Sequence, residues 1–299
     1  ASAGGVARAI AVVDAGDSGV CAGLLGGVLK MGEKWTLVWG KIPLFDRRLI
    51  VLDECSAMRY SDIGTMSRVR SEGVAEVTKI ITEKTRARTR LIWLSNPRIS
   101  IEDGKPRRLA DYSYGVQSAQ ELVGTAEDMA RFDFVLTVAQ NEVPTEVINQ
   151  LRTSTPEEKL DRTLMRKHLS WVWSRTADQV IFEDSAVTRI MEMARTLGRR
   201  LSASIPLVQP EDIRFKLARI AAAVAARLFS TDDGERILIR PEHVDFAFNF
   251  LFHIYSKPSN GYMQLSAQER ESAELREADA IEKELLAIDG VADLVSGLL

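Results

Sequence analysis

The run Arg48-Leu49-Ile50-Val51-Leu52-Asp53-Glu54 carries four uninterrupted apolar residues straight into two adjacent carboxylates. A short apolar run bounded by charge reads as a strand buried on both faces, as in a parallel sheet with helices on either side. Open α/β sheets bind ligands in the crevice outside the carboxyl ends of such strands. Two carboxylates there suit a Mg²⁺-nucleotide: one helps to hold the metal through water, the other orients or deprotonates an attacking water. Taken alone, the dipeptide also fits a buried strand that ends in two solvated acids.

Upstream of this run, Ala7 to Val13 reads as a strand followed by the turn-rich Asp14-Ala15-Gly16-Asp17-Ser18-Gly19. Gly23 to Met31 and Trp35 to Trp39 flank Gly32-Glu33-Lys34 as a hairpin or short insert. Downstream, Ile63, Met66, Val69 and Val74 give Ser61 to Gly73 a helix-spaced apolar face. Glu76 to Arg90 is one of the most basic segments, with Lys79, Lys84, Arg86, Arg88 and Arg90. Its β-branched residues around the polar Thr82-Glu83-Lys84-Thr85-Arg86 predict a hairpin carrying cations. Such charges also serve simply to blunt an exposed edge. Leu91-Ile92-Trp93-Leu94 is a second apolar strand, ending in Ser95-Asn96-Pro97, where Asn96 reads as a loop cap or a phosphate sensor. Ile99 to Tyr114 is loop-like, and Ala126 to Asp133 leads into a third apolar strand, Phe134 to Val138.

Beyond Pro144 the strands stop. Four helices are predicted, over 157–173, 184–200, 210–229 and 241–255, several opened by Pro or Asp. Ser256-Lys257-Pro258-Ser259-Asn260-Gly261 reads as a linker, followed by a charged helix from Ala267 to Leu286. The expected division is an α/β core over 1–150, an all-helical subdomain over 151–256 and a short third element over 263–299.

The bulk properties narrow the function classes. The 299 residues suffice for one large domain and a smaller one, with 45% hydrophobic and 27% charged residues. A net charge of −3 gives no global basicity, so any nucleic-acid contact must be local. The two cysteines, Cys21 and Cys55, lack metal-ligand spacing and fit a reducing compartment. Three scattered histidines argue against a histidine-based metal or catalytic site. No apolar run is long enough to span a bilayer and no signal peptide is visible. Removal of an initiator methionine is one expected reading of the opening Ala1-Ser2-Ala3-Gly4-Gly5, while the apolar Leu294 to Leu299 reads as a cut, so a piece of a longer protein is expected.

The order of these elements resembles the hairpin-bearing AAA+ ATPases and, more narrowly, the ATPase domain of the MCM replicative helicases. Leu52-Asp53-Glu54-Cys55-Ser56-Ala57-Met58 resembles that family's Walker B strand with its nearby Met. Ala87-Arg88-Thr89 followed by Ser95-Asn96-Pro97 matches its Ala-Arg-Thr and Asn-Pro at the same separation. Ala130-Arg131-Phe132-Asp133 is similar to its Ser-Arg-Phe-Asp. Ser18 to Val28, Gly32-Glu33-Lys34-Trp35 and Pro43-Leu44-Phe45-Asp46 resemble its helix-two insert and the lead into Walker B. The resemblance covers about residues 14 to 255. It implies an AAA+ P-loop NTPase-type parallel core, an all-helical lid and the start of a C-terminal helical or winged-helix element.

The resemblance also implies roles. Asp53 would support Mg²⁺, mostly through water, and Glu54 would polarise the attacking water. Asn96 would be sensor 1, and Arg131 an arginine finger reaching the neighbouring subunit's ATP. Arg214, with Arg219 second, would be the lid's sensor 2. Lys79, with Lys84 and Arg86, would touch the phosphates of single- or double-stranded DNA in the channel of a hexameric ring. The expected location is cytoplasm or nucleoid, or the nucleus in a eukaryote. The departures are specific: no Gly-x-x-x-x-Gly-Lys-[Ser/Thr] occurs, Ser56-Ala57 replaces Asp-Lys, and Ala130 replaces Ser. The phosphate cradle needs that loop, so the chain by itself is expected to be inactive in ATP hydrolysis. Alternatives are a degenerate, non-hydrolysing assembly or DNA-binding module, and a chelatase-type or MoxR-type remodeller acting on protein.

Overall fold

The computed structural model describes residues 10–14, 20–78, 80, 82–99, 104–139, 142, 145–148 and 161–288. Its N-terminal half mixes helices with small sheets. It opens with β1 (Ile10–Asp14), α1 (Val20–Leu24) and the hairpin β2 (Gly26–Met31) and β3 (Lys34–Trp39). A single turn, α2 (Lys41–Leu44), precedes β4 (Leu49–Asp53) and two short helices, α3 (Tyr60–Thr65) and α4 (Ser67–Glu72). A second hairpin, β5 (Val74–Thr78) and β6 (Thr82–Arg86), leads to β7 (Arg90–Trp93). Then come α5 (Val116–Val123), α6 (Ala126–Ala130) and α7 (Thr145–Ile148). The C-terminal part is mostly helical: α8 (Arg162–Ser174), β8 (Val180–Phe182), α9 (Asp184–Leu201), α10 (Ile213–Arg227), β9 (Ile237–Ile239), α11 (Pro241–Ser256) and α12 (Tyr262–Leu286).

The apolar run at 49–52 becomes the middle strand of a three-stranded parallel sheet, ordered β1-β4-β7. Val12 pairs with Val51, and Val51 with Ile92. Ile50 and Leu52 are fully buried, with Leu91 and Trp93 of β7 packed against the same core. Met58, Ile63, Met66, Val123 and Met129 complete that core. The opposite face does not match the expected burial on both sides. Leu49 and Val51 are only half-buried and Ile92 is exposed, so the described residues cover this sheet on one face.

Other expectations shift for physical reasons. The helix expected over 61–73 breaks at Met66 (ψ 0°) into α3 and α4, next to Gly64 and Thr65, both poor helix formers. Thr82 to Arg86, read as a polar turn, is instead β6, paired antiparallel with β5 in the register Glu76↔Lys84. Phe134 to Val138 has a strand's alternation, with Phe134, Leu136 and Val138 exposed and Val135 and Thr137 half-buried, yet it forms no strand. No described strand lies alongside to satisfy its backbone groups, and a strand exists only as part of a ladder. Instead its Phe134 ring meets Phe250 of α11 edge-on at 5.1 Å. Strands also do not stop at Pro144: β8 and β9 form a short parallel pair within the helical part.

In the helical part α9, α10, α11 and α12 pack around Leu197, Leu201, Leu217, Leu251 and Tyr255. The 256–261 stretch, expected as a linker, is a packed turn. Asn260 is buried and its carbonyl accepts a hydrogen bond from the Val116 N–H at 2.8 Å. At Gly115, an added Cβ would sit on the Ser259 carbonyl oxygen, so the start of α5 and this turn are in backbone contact. The next helix begins at Tyr262, five residues earlier than Ala267. The Tyr262 hydroxyl donates to the Ile205 carbonyl (2.7 Å) and accepts from the Val208 N–H (3.0 Å), which fixes the base of α12 to the α9–α10 connection.

The N-terminus of α11 has a titratable cap. Pro241 occupies the first turn, and the Arg240 N–H donates to Nδ1 of the buried His243 at 2.9 Å. Burial holds the His243 imidazolium below its ordinary value of 6.5. The unfolded chain therefore takes up the proton first, and this contribution is present above about pH 6.5 and lost as pH falls below it. His243→Gln keeps an acceptor without the titration. The thermal midpoint of the wild type is expected to fall relative to His243→Gln on acidification, by the equivalent of about 1 kcal/mol. Parallel midpoints across pH would show that this cap does not titrate.

Candidate functional site

The parallel register places the tips of β4 and β7 side by side. The Leu94 N–H donates to the Leu52 carbonyl (2.8 Å) and the Cys55 N–H donates to the Leu94 carbonyl (3.3 Å). Asp53-Glu54 and Ser95-Asn96 thus leave neighbouring strands at the same sheet end. Asp14 of β1 ends there too, in register with Asp53. Asp53, Glu54 and Asn96 are all exposed.

Glu54 stands out by its backbone. Its φ of 57° and ψ of 36° lie in the left-handed region, which non-glycine residues seldom occupy. The Asp53 carboxylate accepts the Glu54 N–H (3.0 Å), turning the chain sharply into the helical turn at Cys55–Ala57. Cys55 beneath it is fully buried, and burial pushes its thiol up to about 12. Arg98 clamps the turn from the other side. Its guanidinium donates to the carbonyls of Ser56 (2.8 Å) and Leu122 (2.7 Å) and stacks over the Tyr60 ring at 4.3 Å. Strain held in place by surrounding bonds is a recurrent property of reactive sites.

Asp53 and Glu54 have the chemistry for an outer-sphere role toward a hard cation, through water. Among the described residues no group of three or more His, Cys, Asp and Glu could hold a metal ion directly. Nor does the chain contain the glycine-lysine loop that cradles nucleotide phosphates. Among the described residues the donor set therefore suits Mg²⁺ through water and not as a cage of direct ligands.

Arg131 caps α6 and belongs to a half-buried cluster. Its Nη1 donates to Asp128 at 3.0 Å, and the buried Asp128 also takes Arg70. Arg70 lies in the angle between the rings of Trp93 (5.4 Å) and Phe132 (5.8 Å), which meet edge-on at 5.3 Å. Burial lowers the Arg70 guanidinium from its ordinary value, opposed by the Asp128 charge. The Arg131 guanidinium is thus held by Asp128 while about a quarter exposed. Neither Arg70 nor Asp128 is marked as a partner in sequence, since they lie 58 positions apart.

The basic segment divides. Lys79 lies outside the described residues. Lys84 pairs across the hairpin with Glu76 at 3.4 Å, and Arg68 reaches the same carboxylate. Arg86 is exposed at the end of β6. Arg88 and Arg90 are structural: Arg88 forks onto Asp46 (2.6 and 3.1 Å), and Arg90 donates to the Arg47 carbonyl and lies over Trp173 at 5.1 Å. Of the two lid candidates, Arg219 is bound to Asp133 at 2.6 Å, joining α10 to the segment after Phe132. Arg214 is exposed, over the ring of Phe215 at 4.7 Å. Between them Lys216 is buried, donates to the Leu207 carbonyl (2.8 Å) and is pulled by burial down to about 8.

Among the described residues no helix is long and apolar enough to cross a membrane. No protein-family model matches the chain, and no curated protein matches it.

Proposed function

We propose that this chain is the ATPase core and lid of an MCM-like AAA+ motor, a ring in which ATP hydrolysis drives movement along DNA. The observation that carries the reading is the sheet end where Asp53-Glu54 and Asn96 leave adjacent parallel strands, with the β5–β6 hairpin inserted between those strands in sequence. Mg²⁺-ATP, when bound, supplies the phosphoanhydride to be cleaved and the charge neutralisation that cleavage needs. With that group bound, Asp53 would orient water on the metal, Glu54 would take the proton of the attacking water, and Asn96 would position that water from the neighbouring strand. Arg131, preset by Asp128, is the group offered to the site of the next subunit. Arg214, exposed near the start of α10, would be the lid's contact to the nucleotide. Lys79, Lys84 and Arg86 meet DNA phosphates, a contact that weakens with salt.

A specific observation favours a second reading. With no phosphate-cradling loop in the chain and Arg131 already tied to Asp128, the fold also serves as a non-hydrolysing assembly module. ATP hydrolysis by the full-length protein, with and without single-stranded DNA, separates the two. The motor reading expects DNA-stimulated turnover, a loss of about 10³–10⁵-fold in Arg131→Ala, and partial recovery when that variant is mixed with Glu54→Gln. Absence of ATP binding by the full-length protein leaves the non-hydrolysing module.

A further inference from the structure

We infer that the outer half of α12 and the outer face of α8 are the two sides of one head-to-tail contact between copies of this chain. The inference stands apart from the ATPase reading. The first turns of α12 are packed, with Tyr262, Leu265 and Ser266 buried, but from Ala273 to Leu285 every residue is exposed. The helix continues for more than three turns without packing against the described residues. Along it Leu275, Ala278, Ile281, Leu285 and, just beyond, Ile288 recur at steps of three or four, the spacing of an apolar stripe that faces something. Leu275 is 61% and Ile281 51% exposed. A water-facing helix of this length needs an added packing surface to be stable.

Charge identifies the occupant. Between 271 and 288 the arm carries Glu271, Glu274, Glu277, Asp279, Glu282 and Glu284 against Arg276 and Lys283 alone. Two such arms side by side would set carboxylate against carboxylate, so a symmetric pairing of arms is disfavoured. The complement is on the same chain. Helix α8, Arg-Thr-Leu-Met-Arg-Lys-His-Leu-Ser-Trp-Val-Trp-Ser, contains no carboxylate, offers Arg166 and Lys167, and has no fully buried residue. It is anchored to the body through Trp171, whose indole N–H donates to the Gly234 carbonyl at 2.7 Å. That leaves Met165 (48%) and Leu169 (41%) exposed one turn apart on its outer side. Both faces stay exposed among the described residues, and each carries the charge the other lacks, so they suit a contact between copies. A contact that uses two different surfaces is heterologous, and repeats into a ring or a filament.

Analytical ultracentrifugation of the full-length protein without nucleotide tests this. The wild type is expected to self-associate, more weakly as salt is raised, because the complementary charges are screened. Ile281→Glu and Leu169→Glu each replace an exposed side chain, so circular dichroism should stay unchanged while self-association weakens by roughly tenfold or more. Mixed, they should form a complex of two copies that grows no further: the Leu169→Glu chain keeps its arm and the Ile281→Glu chain keeps its α8 face. A wild type that stays monomeric at every concentration overturns the inference, and points to cover from the chain itself or from another protein. So does a wild type that associates while the two variants fail to pair, which is the mark of a symmetric contact. Loss of ATPase activity with this pairing intact sinks the motor reading and leaves the interface standing.

Discussion

Asp128→Ala is expected to lower the unfolding free energy by about 3–5 kcal/mol, the range seen when one member of a buried ion pair is removed. The reason is what stays behind. The Arg70 side chain is 5% exposed, flanked by the rings of Trp93 and Phe132, and its Nε has no hydrogen-bond partner. Apart from Asp128 side-chain oxygens, its guanidinium reaches among the described residues the Asp128 carbonyl at 3.2 Å. Without the carboxylate a charge remains in a largely apolar site. Asp128→Asn, which keeps an acceptor but no charge, should fall between. Arg70→Met combined with Asp128→Leu should recover much of the loss, since apolar replacements of both partners are often neutral. Urea unfolding at constant m-value gives these numbers. A loss under about 1 kcal/mol for Asp128→Ala would mean that the pair behaves as a solvated surface bridge.

Glu54 should separate stability from activity. A non-glycine residue at φ 57° costs roughly 1 kcal/mol, so Glu54→Gly is expected to be more stable than the wild type by about that amount. On the motor reading the same change removes the base beside the attacking water, and hydrolysis should drop by about 10²–10⁴-fold. Glu54→Gln keeps the backbone cost and loses the base, so it should be slow without the gain in stability. Thermal midpoints and ATP turnover of the full-length protein, measured on all three, decide it. A Glu54→Gly chain that hydrolyses ATP normally would falsify the assignment of the base.

The residues that were legible in sequence are those whose message is local. Leu49 to Asp53 announces a strand by its own composition, and the placement of Asp53-Glu54 beside Asn96 follows once two such strands run parallel. The hairpin at β2–β3 and the helices α9 to α11 were likewise readable from turn residues, caps and apolar spacing. What escaped depends on partners. Phe134 to Val138 has the alternation of a strand, but alternation states which side faces the core and not whether a neighbour is there to pair with. Thr82 to Arg86 looks like a turn by polarity, and it is a strand because Val74 to Thr78 lies across from it, with Ala75 opposite Thr85 and Glu76 opposite Lys84. The tie from Arg131 through Asp128 to Arg70, and the Arg98 clamp on Ser56, join positions tens of residues apart and leave no pattern in a single sequence. The left-handed turn at Glu54 is invisible for a different reason: the residue type argues against it.

The contact between the start of α5 and the turn before α12 gives the long helix a mechanical character. The Val116–Asn260 hydrogen bond and the close approach of Gly115 to Ser259 sit at the root of a 25-residue helix, which is about 37 Å long at 1.5 Å per residue. A tilt of roughly 5° at that root carries the tip about 3 Å, most of a side chain's width, by the geometry of a rigid helix of that length. Small shifts of α5, whose last turn the Arg98 clamp grips at the Leu122 carbonyl, are therefore magnified at the far end of α12 as a pointer magnifies the motion of its pivot.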